Sequence, residues 1–288
     1  MSRCDRIALI TKKGNELGQL CFVIAQPDAL RIIDAVSESP LKQTPEIVLV
    51  TPVWNDSRRL GRFGPELARA LAASGLPLCW IVSDDGSSVE EQVKLETLVE
   101  QLRAIFPKTE LVLSEQRSRK GAAIYRAWDQ CAAAEWLAFV DGDGAISASV
   151  IVGLIKSAIA EDDPACTIAV RAHSVESPVR RQMIRSLAPR VFSFLVRTLV
   201  GLKCLDTQCG AKVVPGSAYR EVRKNLKEYG YAFDVELLMA LGKNKVRLRQ
   251  RAIPWVEVPG GKVDLFTDGF RMVMGLLRIR RRLKAGLY

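Results

Sequence analysis

Short apolar runs alternate with longer amphipathic segments from residue 46 onward, and this alternation restricts the possible fold more than any other feature. The apolar runs predict strands over 47–53, 77–86, 109–115, 135–144 and 166–173. The segments between them have helical spacing, over 65–74, 89–105, 120–134 and 147–160. Strands that alternate with helices of this length form a mostly parallel sheet flanked by helices. The sequence therefore predicts an α/β fold.

Each predicted strand ends in polar or charged residues. The ends read TPVWND, SDDGS, SEQRSRKG, VDGDG and VRAH. In open α/β sheets, ligands bind beyond the carboxyl ends of the strands. The five ends together therefore indicate a nucleotide site at that edge of the sheet.

Asp141 and Asp143 follow the fourth predicted strand, in the segment WLAFVDGDGAI. Two carboxylates with this spacing can hold Mg²⁺ or Mn²⁺, which fill their other coordination positions with water and substrate phosphates. Gly142 and Gly144 would let a diphosphate approach the backbone closely. Because Asp-Gly is also a common turn dipeptide, the motif by itself is equally compatible with a solvated turn.

The end of the second strand carries another acidic pair, Asp84 and Asp85. Either carboxylate could accept a hydrogen bond from a base imide N–H or a ribose hydroxyl. The alternative is a simple turn in which Ser87 or Ser88 caps the next helix. In isolation, the segment favours the turn.

The segment RSRKG places Arg117, Arg119 and Lys120 just before a predicted helix. Cations next to the free N–H groups of a helix N-terminus favour a phosphate. A solvated basic loop is the alternative. The P-loop pattern GxxxxGK[ST] is absent from the sequence, so the segment is not a P-loop.

The formal net charge of +10 is concentrated in the second part of the chain. Residues 1–170 contain 18 Lys and Arg against 23 Asp and Glu, whereas residues 171–288 contain 24 against 9. The second part is therefore expected to face nucleic acid, an anionic membrane or a phosphorylated substrate. Aromatic residues are rarely interleaved with the basic ones, and carboxylates gather at the strand ends, so we expect no nucleic-acid partner.

The seven cysteines form no CxxC pair, which argues against a disulfide framework or a structural zinc and favours a reducing cytoplasm. The apolar stretch IALI near the N-terminus is too short for a signal peptide. No run reaches the roughly 18 uncharged apolar residues of a membrane-spanning helix. We therefore expect a cytoplasmic protein whose membrane contact, if any, is peripheral. Residues 1–45 form an N-terminal extension without a motif.

The order of several longer segments resembles one enzyme family. TPVWND, SDDGS, RKGAA and VDGDGA are followed by RAH, DTQCGAK, YAFDVELL, PWVEVPGGKV and GLLRIR. Over residues 46–282 this order resembles the family 2 glycosyltransferases of the GT-A fold, and within them the dolichyl-phosphate glucosyltransferase branch and its prokaryotic polyprenyl-phosphate relatives. DTQCG together with AFDVELL is far more specific than an Asp-x-Asp pair. These segments therefore favour a metal site over a turn at residues 141–143.

The resemblance implies a set of residues that bind the donor nucleotide-sugar. Trp54 stands where the family usually has tyrosine, Asp56 where it has glutamate, and Arg119 where glycine or lysine is more usual. Asp141 and Asp143 match the metal-binding pair, and Asp85 is our choice for the base contact. The implied donor-binding residues are Pro52, Trp54, Asp56, Asp84, Asp85, Lys120, Gly121, Asp141, Gly142 and Asp143.

The resemblance also implies an acceptor region in the basic second part. Arg171 matches an arginine near the diphosphate or the acceptor phosphate, and Asp234 and Glu236 belong to a helix signature of the family. With Asp143, Arg171 and Asp234 are the implied catalytic residues. The implied acceptor-binding residues are Asp206, Gln208, Lys212 and Lys262.

An enzyme of this kind would move a hexose from a UDP-sugar, for which UDP-glucose is the first candidate, to a lipid phosphate with inversion. Such a phosphate is already ionised at neutral pH, so it needs positioning and charge screening more than a general base. If the acceptor were a soluble or lipid hydroxyl, a base would be required, and Asp234 is the first candidate. Two alternative hypotheses are not enzymes: a nucleic-acid-binding protein and a non-catalytic nucleotide-binding protein.

Two basic, apolar segments lie in the second part, at 179–202 and 265–284. The first contains Pro189, which predicts an interruption. The second predicts a helix with Phe266, Phe270, Val273 and Leu277 on one face. Such helices suit an anionic membrane surface, although helices that pack on a core have the same spacing. We therefore divide the chain into the extension 1–45, a GT-A domain 46–262 and a basic amphipathic helix 263–288.

Overall fold

The computed structural model describes residues 45–161, 163–172, 182–260 and 267–288. Lys262 and the predicted boundary between residues 262 and 263 lie outside this part of the chain. The strands are β1 Ile47–Val53, β2 Leu78–Asp84, β3 Thr109–Val112, β4 Trp136–Val140, β5 Cys166–Arg171, β6 Ala211–Pro215 and β7 Leu248–Ile253. The helices are α1 Ser57–Ser74, α2 Val89–Ile105, α3 Lys120–Gln130, α4 Ala148–Ile159, α5 Gln182–Val200, α6 Gly216–Val222, α7 Phe233–Lys243 and α8 Thr267–Lys284.

The strands form one mixed sheet in the order β3-β2-β1-β4-β6-β5-β7. β6 runs antiparallel to β4 and β5, and the other neighbouring pairs are parallel. This arrangement confirms the predicted mostly parallel α/β sheet. β1, β2 and β4 end side by side, so the loops after them meet at one edge of the sheet.

Apolar residues on both sides of the sheet hold the helices in place. On one side, α1, α2 and α4 bury Leu60, Leu67, Leu102 and Ile151. On the other side, aromatic rings pack with centroids 5.0 to 6.2 Å apart, within the range of favourable ring contacts. These rings belong to Tyr125, Trp128, Phe139, Tyr219 and Phe233. The strand ends therefore project from a rigid base.

Two helices, α1 and α5, continue through a proline and so differ from the sequence prediction. α1 begins at Ser57 rather than at residue 65 and contains Pro65, since Leu60 and Phe63 continue its buried face N-terminal to the proline. α5 passes through Pro189, where the sequence predicted an interruption. In α1, the buried face therefore extends across the proline.

α8 packs against α5 and turns an apolar strip outward. Leu276 and Ile279 face the protein, whereas Phe270 and Leu277 leave 68% and 42% of their surface exposed. Met274 lies on the same outer strip. Within the described residues, we find no helix with the length and apolarity needed to cross a membrane.

Candidate functional site

A cleft of about 240 Å³ lies at the carboxyl ends of β1, β2 and β4. Most of the predicted donor-binding residues line it: Pro52, Trp54, Asp56, Asp85, Lys120, Asp141, Gly142 and Asp143. Arg59, Arg117, Arg119 and Tyr231 also line it. The structure thus brings together residues that are up to 179 positions apart in the chain, from Pro52 to Tyr231. Asp84 and Gly121 are the predicted donor residues outside this lining.

Lys120 and Asp141 form the floor of the cleft. Lys120 Nζ lies 2.6 Å from Asp141 Oδ1. Burial disfavours the charge on Lys120, but the negative charges of Asp141 and Asp234 outweigh it and raise the lysine pKa. Asp141 packs directly on Gly210 of the DTQCG segment, where a Cβ atom would lie 2.3 Å from its Oδ2. Gly210 therefore leaves the space that the Asp141 carboxylate occupies.

Asp143 is held at the side of the same cleft. Its Oδ1 accepts a hydrogen bond of 3.0 Å from Ala145 N–H, and its Oδ2 lies 3.6 Å from Arg59 Nη1. Burial, and then the negative charge of Asp141, raise the pKa of the Asp143 carboxyl. A cation placed between these two carboxylates would relieve that repulsion.

The donor set fits a hard divalent cation that is completed by substrate. Asp141 and Asp143 offer oxygen ligands, and among the described residues no group of three or more His, Cys, Asp or Glu is arranged as a metal site. Mg²⁺ and Mn²⁺ commonly take one or two protein carboxylates and fill the remaining positions with water and phosphate oxygens. The pair therefore fits a metal that arrives with, or is completed by, a diphosphate.

Gly142, between the two aspartates, is required by a close contact. A Cβ atom at this position would lie 2.9 Å from Thr51 Cγ2. Thr51 cannot easily turn its methyl group away, because its Oγ1 accepts a hydrogen bond of 2.9 Å from Trp80 Nε1 in the buried sheet. The Thr51 methyl therefore explains why this chain has glycine between the aspartates.

We expect Gly142→Ala to lower the free energy of unfolding by about 1–2 kcal/mol, since the added methyl overpacks a fixed neighbour. Thr51→Ser keeps the hydroxyl that Trp80 uses and removes the clashing methyl, so it should restore most of this loss in the double variant. Urea denaturation of the four proteins of the cycle measures the coupling. Equal effects of Gly142→Ala in both backgrounds would show that Thr51 is not the cause.

Trp54 and Asp56 lie on the wall of the cleft after β1. The Arg117 guanidinium stacks on the Trp54 ring, with Cζ 3.2 Å from the ring centroid. Arg59 Nε donates to Asp56 Oδ2 at 2.7 Å. Sequence reasoning missed Arg59, although it stands in the first turn of the helix that follows TPVWND, where a cation near a phosphate site is expected. Tyr231 was missed as a lining residue too, and only the aromatic pair before α7 hinted at it.

Asp84, the last residue of β2, and Asp85, which follows it, have different surroundings. Asp84 is fully buried, and its carboxylate accepts hydrogen bonds from Gly86 N–H, Ser87 N–H and Gln92 Nε2. Internal donors therefore use its oxygens, and Asp84 does not line the cleft. Asp85 lines the cleft and accepts from Ser118 N–H at 2.8 Å, and burial raises the pKa of its carboxyl.

Gly121 serves helix packing rather than the cleft. Its N–H donates to Tyr229 O at 2.8 Å, so this amide is not available to a phosphate. Gly121 is thus a predicted donor-binding residue that does not line the cleft. Lys120 alone of the predicted Lys-Gly pair reaches the cleft.

Lys212 and Asp234 form a buried ion pair beneath the cleft. Lys212 is fully buried, and its Nζ lies 2.5 Å from Asp234 Oδ1 and donates to Cys209 O at 3.0 Å. Burial raises the pKa of Asp234, against the opposing effects of Lys212 and Lys120. Neither side chain lines the cleft. The acceptor contact of Lys212 and the base role of Asp234 stay predictions.

Two predicted acceptor residues, Asp206 and Gln208, lie next to Arg171 at the end of β5. Arg171 binds Asp206 in a bidentate pair, with Nε–Oδ2 and Nη2–Oδ1 distances of 2.6 and 2.9 Å. Although burial acts in the opposite direction, Arg171 lowers the pKa of Asp206. Gln208 N–H donates to Asp206 Oδ1 at 3.2 Å. Glu236 lies under α8, where it accepts from the backbone N–H groups of residues 227 and 228.

The mostly parallel sheet, with an aspartate pair and a facing lysine beyond its central strands, has the arrangement of the GT-A fold. The profile of glycosyl transferase family 2 matches residues 49–223, which is more than half of the chain. The chain belongs to glycosyl transferase family 2.

Dolichyl-phosphate beta-glucosyltransferases of several organisms are similar to this chain. The Saccharomyces cerevisiae protein is 29% identical over 221 residues, which cover 72% of this chain and 66% of the relative. The Dictyostelium discoideum protein is 28% identical over 212 residues, with 72% and 64% covered. The Homo sapiens protein is 28% identical over 267 residues, with 89% and 80% covered. The first two matches thus span slightly less than two thirds of those relatives.

Solved structures with this fold include glucosyl-3-phosphoglycerate synthase from Mycobacterium tuberculosis. Its complex with Mn²⁺, uridine diphosphate and glucosyl-3-phosphoglycerate has a TM-score of 0.57 at 14% identity, with 82% of this chain and 80% of that chain covered. Its complex with phosphoglyceric acid has a TM-score of 0.59 with the same coverage. This similarity confirms the predicted GT-A fold.

Proposed function

We propose that the protein transfers a hexose, with glucose as the first candidate, from a UDP-sugar to a polyprenyl or dolichyl phosphate, with inversion at the anomeric carbon. The observation that carries this proposal is the floor of the cleft, where Asp141, Asp143 and Lys120 face one another. Two carboxylates and a lysine suit a metal-bound diphosphate. The names of the similar eukaryotic relatives support a lipid phosphate as acceptor.

The donor would lie across the cleft with its base on the Trp54 side. Trp54 offers a ring on which uracil can stack once Arg117 moves off it, and Asp85 offers a carboxylate next to that ring. Lys120 would contact the diphosphate. A divalent cation held by Asp141 and Asp143, Mg²⁺ or Mn²⁺, would neutralise charge on the leaving diphosphate. A neighbour of the same fold has been crystallised with Mn²⁺ and UDP-glucose, which supports the metal.

The buried position of Asp234 favours a phosphate acceptor over a hydroxyl. A hydroxyl nucleophile needs a carboxylate that can take its proton, and Asp234 is closed off and paired with Lys212. A phosphate oxygen carries no proton to remove. It would attack the anomeric carbon from the face opposite UDP, and the bond from that carbon to the UDP oxygen would break with its electron pair leaving on UDP. Positioning and charge screening are then the enzyme's main tasks.

A radiolabelled donor tests this function. The full chain is incubated with each common UDP-sugar, Mg²⁺ or Mn²⁺, and a short polyprenyl phosphate, and the mixture is extracted with organic solvent. We expect label from UDP-glucose in the organic phase, and its loss when the metal is removed by EDTA. Label that stays in the aqueous phase with every UDP-sugar would overturn the proposal.

We further propose that α5 and α8 dock on the cytoplasmic face of an anionic membrane. The two helices pack together and expose Val191, Phe194, Phe270, Met274 and Leu277. Arginines flank this apolar strip along α8. Helices that combine exposed apolar side chains with cations bind lipid interfaces. The five described cysteines are buried free thiols, which agrees with a reducing compartment.

We expect the double variant Phe194→Glu and Phe270→Glu to weaken binding to anionic vesicles at least about 10-fold, since two apolar side chains lose their burial in the interface. Flotation with phosphatidylglycerol-containing vesicles at low salt measures this. Val89→Glu is the control, because Val89 is an exposed apolar residue at the start of α2. Equal flotation of all proteins, or none for the wild type, would contradict docking through these helices.

A further inference from the structure

A second cavity, of about 430 Å³, adjoins the donor cleft on the side of α8. Arg119, Gly230 and Tyr231 line both spaces, so the two are continuous along this segment. The rest of the second cavity is formed by the loop before α7 and by arginines of α8. The donor cleft makes no use of this second cavity.

Positive charge dominates the lining of this α8 cavity. It contains five cations, Arg119, Lys227, Arg271, Arg278 and Arg282, and one carboxylate, Glu228. Glu228 is buried and holds two of the arginines, with Arg278 Nη2 at 2.7 Å and Arg282 Nη2 at 2.6 Å. Arg282 also binds Glu236, and Arg271 binds Asp268 at 3.1 Å. The acids therefore fix the α8 guanidinium groups in place.

Lys227 and Arg119 complete the cavity without an acidic partner. Among the described residues, no ion pair is formed by either side chain. With the acids already shared among the three arginines of α8, these two charges leave the cavity with an excess of positive charge. A rigid cationic cavity of this kind favours an anion with several oxygen acceptors, of which a phosphomonoester is the simplest biological example.

Arg119 has a backbone conformation that only glycine adopts readily. Its φ and ψ angles are 80° and 163°. The neighbours on both sides fix this geometry, since Ser118 N–H donates to Asp85 and Lys120 pairs with Asp141. A non-glycine residue in this region is strained, and such strain is found mainly at functional sites. The arginine side chain, which faces both cavities, provides a reason for the residue.

The outer surface of α8 next to the cavity is apolar. Phe270, Met274 and Leu277 form the exposed strip, and Arg271 and Arg278 stand beside it with 57% and 53% of their side chains exposed. A cationic cavity beside an apolar helix face matches an amphiphile with a phosphate head and a hydrocarbon tail. Free phosphate would use the cavity but not the strip.

We propose that the α8 cavity binds the phosphate of the lipid acceptor and presents it to the donor cleft past Gly230 and Tyr231. This inference rests on the proposed function and relocates the acceptor site within it. Lys212, the residue expected from the sequence, is buried in its pair with Asp234, and Arg171 is held by Asp206. The α8 arginines, Lys227 and Arg119 are the cations that the cavity offers instead.

Binding of farnesyl phosphate to the full chain without donor tests the cavity independently of turnover. We expect Lys227→Gln to weaken this binding about 5–10-fold, since one charge-assisted contact is lost, and to leave UDP affinity unchanged. Arg119→Gly should weaken it to a similar degree, yet raise the melting temperature by roughly 2–4 °C because the strain is removed. Lys156→Gln, an exposed lysine on α4, is the matched control.

Unchanged farnesyl phosphate affinity in both variants would overturn the cavity assignment while leaving the proposed function intact. Inorganic phosphate that displaces farnesyl phosphate with equal affinity would overturn the lipid part of the assignment, because the apolar strip would then contribute nothing. A wild type that binds farnesyl phosphate, loses it in Lys227→Gln and still transfers no hexose would overturn the proposed function instead.

Discussion

Asp143→Asn is expected to lower kcat/KM for hexosyl transfer roughly 10²–10³-fold, the range seen when one preorganised electrostatic contact to developing charge is removed. The asparagine side chain keeps an oxygen that can accept from Ala145 N–H, so the loop should retain its shape. What it lacks is the negative charge that, with Asp141, would hold the cation against the leaving diphosphate. Steady-state kinetics with saturating acceptor measure the loss.

The same variant should lose the metal dependence of UDP binding measured by calorimetry. Glu100→Gln is the control, because Glu100 is an exposed carboxylate on α2 that pairs with Arg103. Its activity and melting temperature should match those of the wild type. An Asp143→Asn protein that still binds UDP more tightly with Mg²⁺ or Mn²⁺ than without would remove Asp143 from the metal site.

Lys212→Met should produce the largest loss of stability among these variants, about 3–5 kcal/mol in the free energy of unfolding. The substitution leaves the Asp234 carboxylate charged and buried without its nearest cation, which is 2.5 Å away in the wild type. An uncompensated buried charge is far more costly than the absence of the pair. Urea denaturation followed by far-UV circular dichroism measures the change.

The double variant Lys212→Met and Asp234→Leu separates the pair from its surroundings. Because both charges are then absent, we expect it to be more stable than Lys212→Met alone. Asp234→Leu alone is the second single variant that completes the double-mutant cycle. Additive losses, with the double variant less stable than either single one, would show that the two side chains do not act as a pair.

The sequence predicted the sheet, and the grouping of most proposed donor-binding residues at its edge, because both depend on local patterns. The apolar run of β4 ends at Val140, and Asp141 and Asp143 emerge where the central strands of the sheet finish. The strand ends therefore converge whatever the details of packing. This is why most of the predicted donor-binding residues line one cleft.

The sequence did not predict those contacts of a residue that come from neighbours remote in the chain. Asp84 and Asp85 are adjacent and chemically identical, yet Gln92 and two backbone amides turn Asp84 inward. The sequence predicted Lys212 as an acceptor-binding residue, whereas in the structure Asp234 of α7 lies against it. The need for glycine at 142 depends on the methyl group of Thr51, 91 positions earlier in the chain.

The sequence also did not predict which face of α8 is buried. The spacing of Phe270 and Leu277 predicts an apolar face, but not whether that face is buried. In the structure the opposite face, with Leu276 and Ile279, packs inward, and the arginines of α8 are held by Glu228 and Glu236 from the loop before α7 and from α7. Helix periodicity fixes relative positions on a helix, whereas burial depends on what packs against it.

Transfer of the sugar to a phosphate oxygen, rather than to a hydroxyl, is tested most directly by a matched pair of acceptors. The full chain is given UDP-glucose with a short polyprenyl phosphate or with the polyprenol of the same chain length, and UDP release and the mass of the lipid product are measured together. With the polyprenyl phosphate as acceptor, we predict one hexosyl polyprenyl phosphate for each UDP released. With the alcohol as acceptor, we predict no product. Glycosylation of the alcohol with a comparable kcat/KM, or UDP release without a lipid product, would contradict transfer to the phosphate.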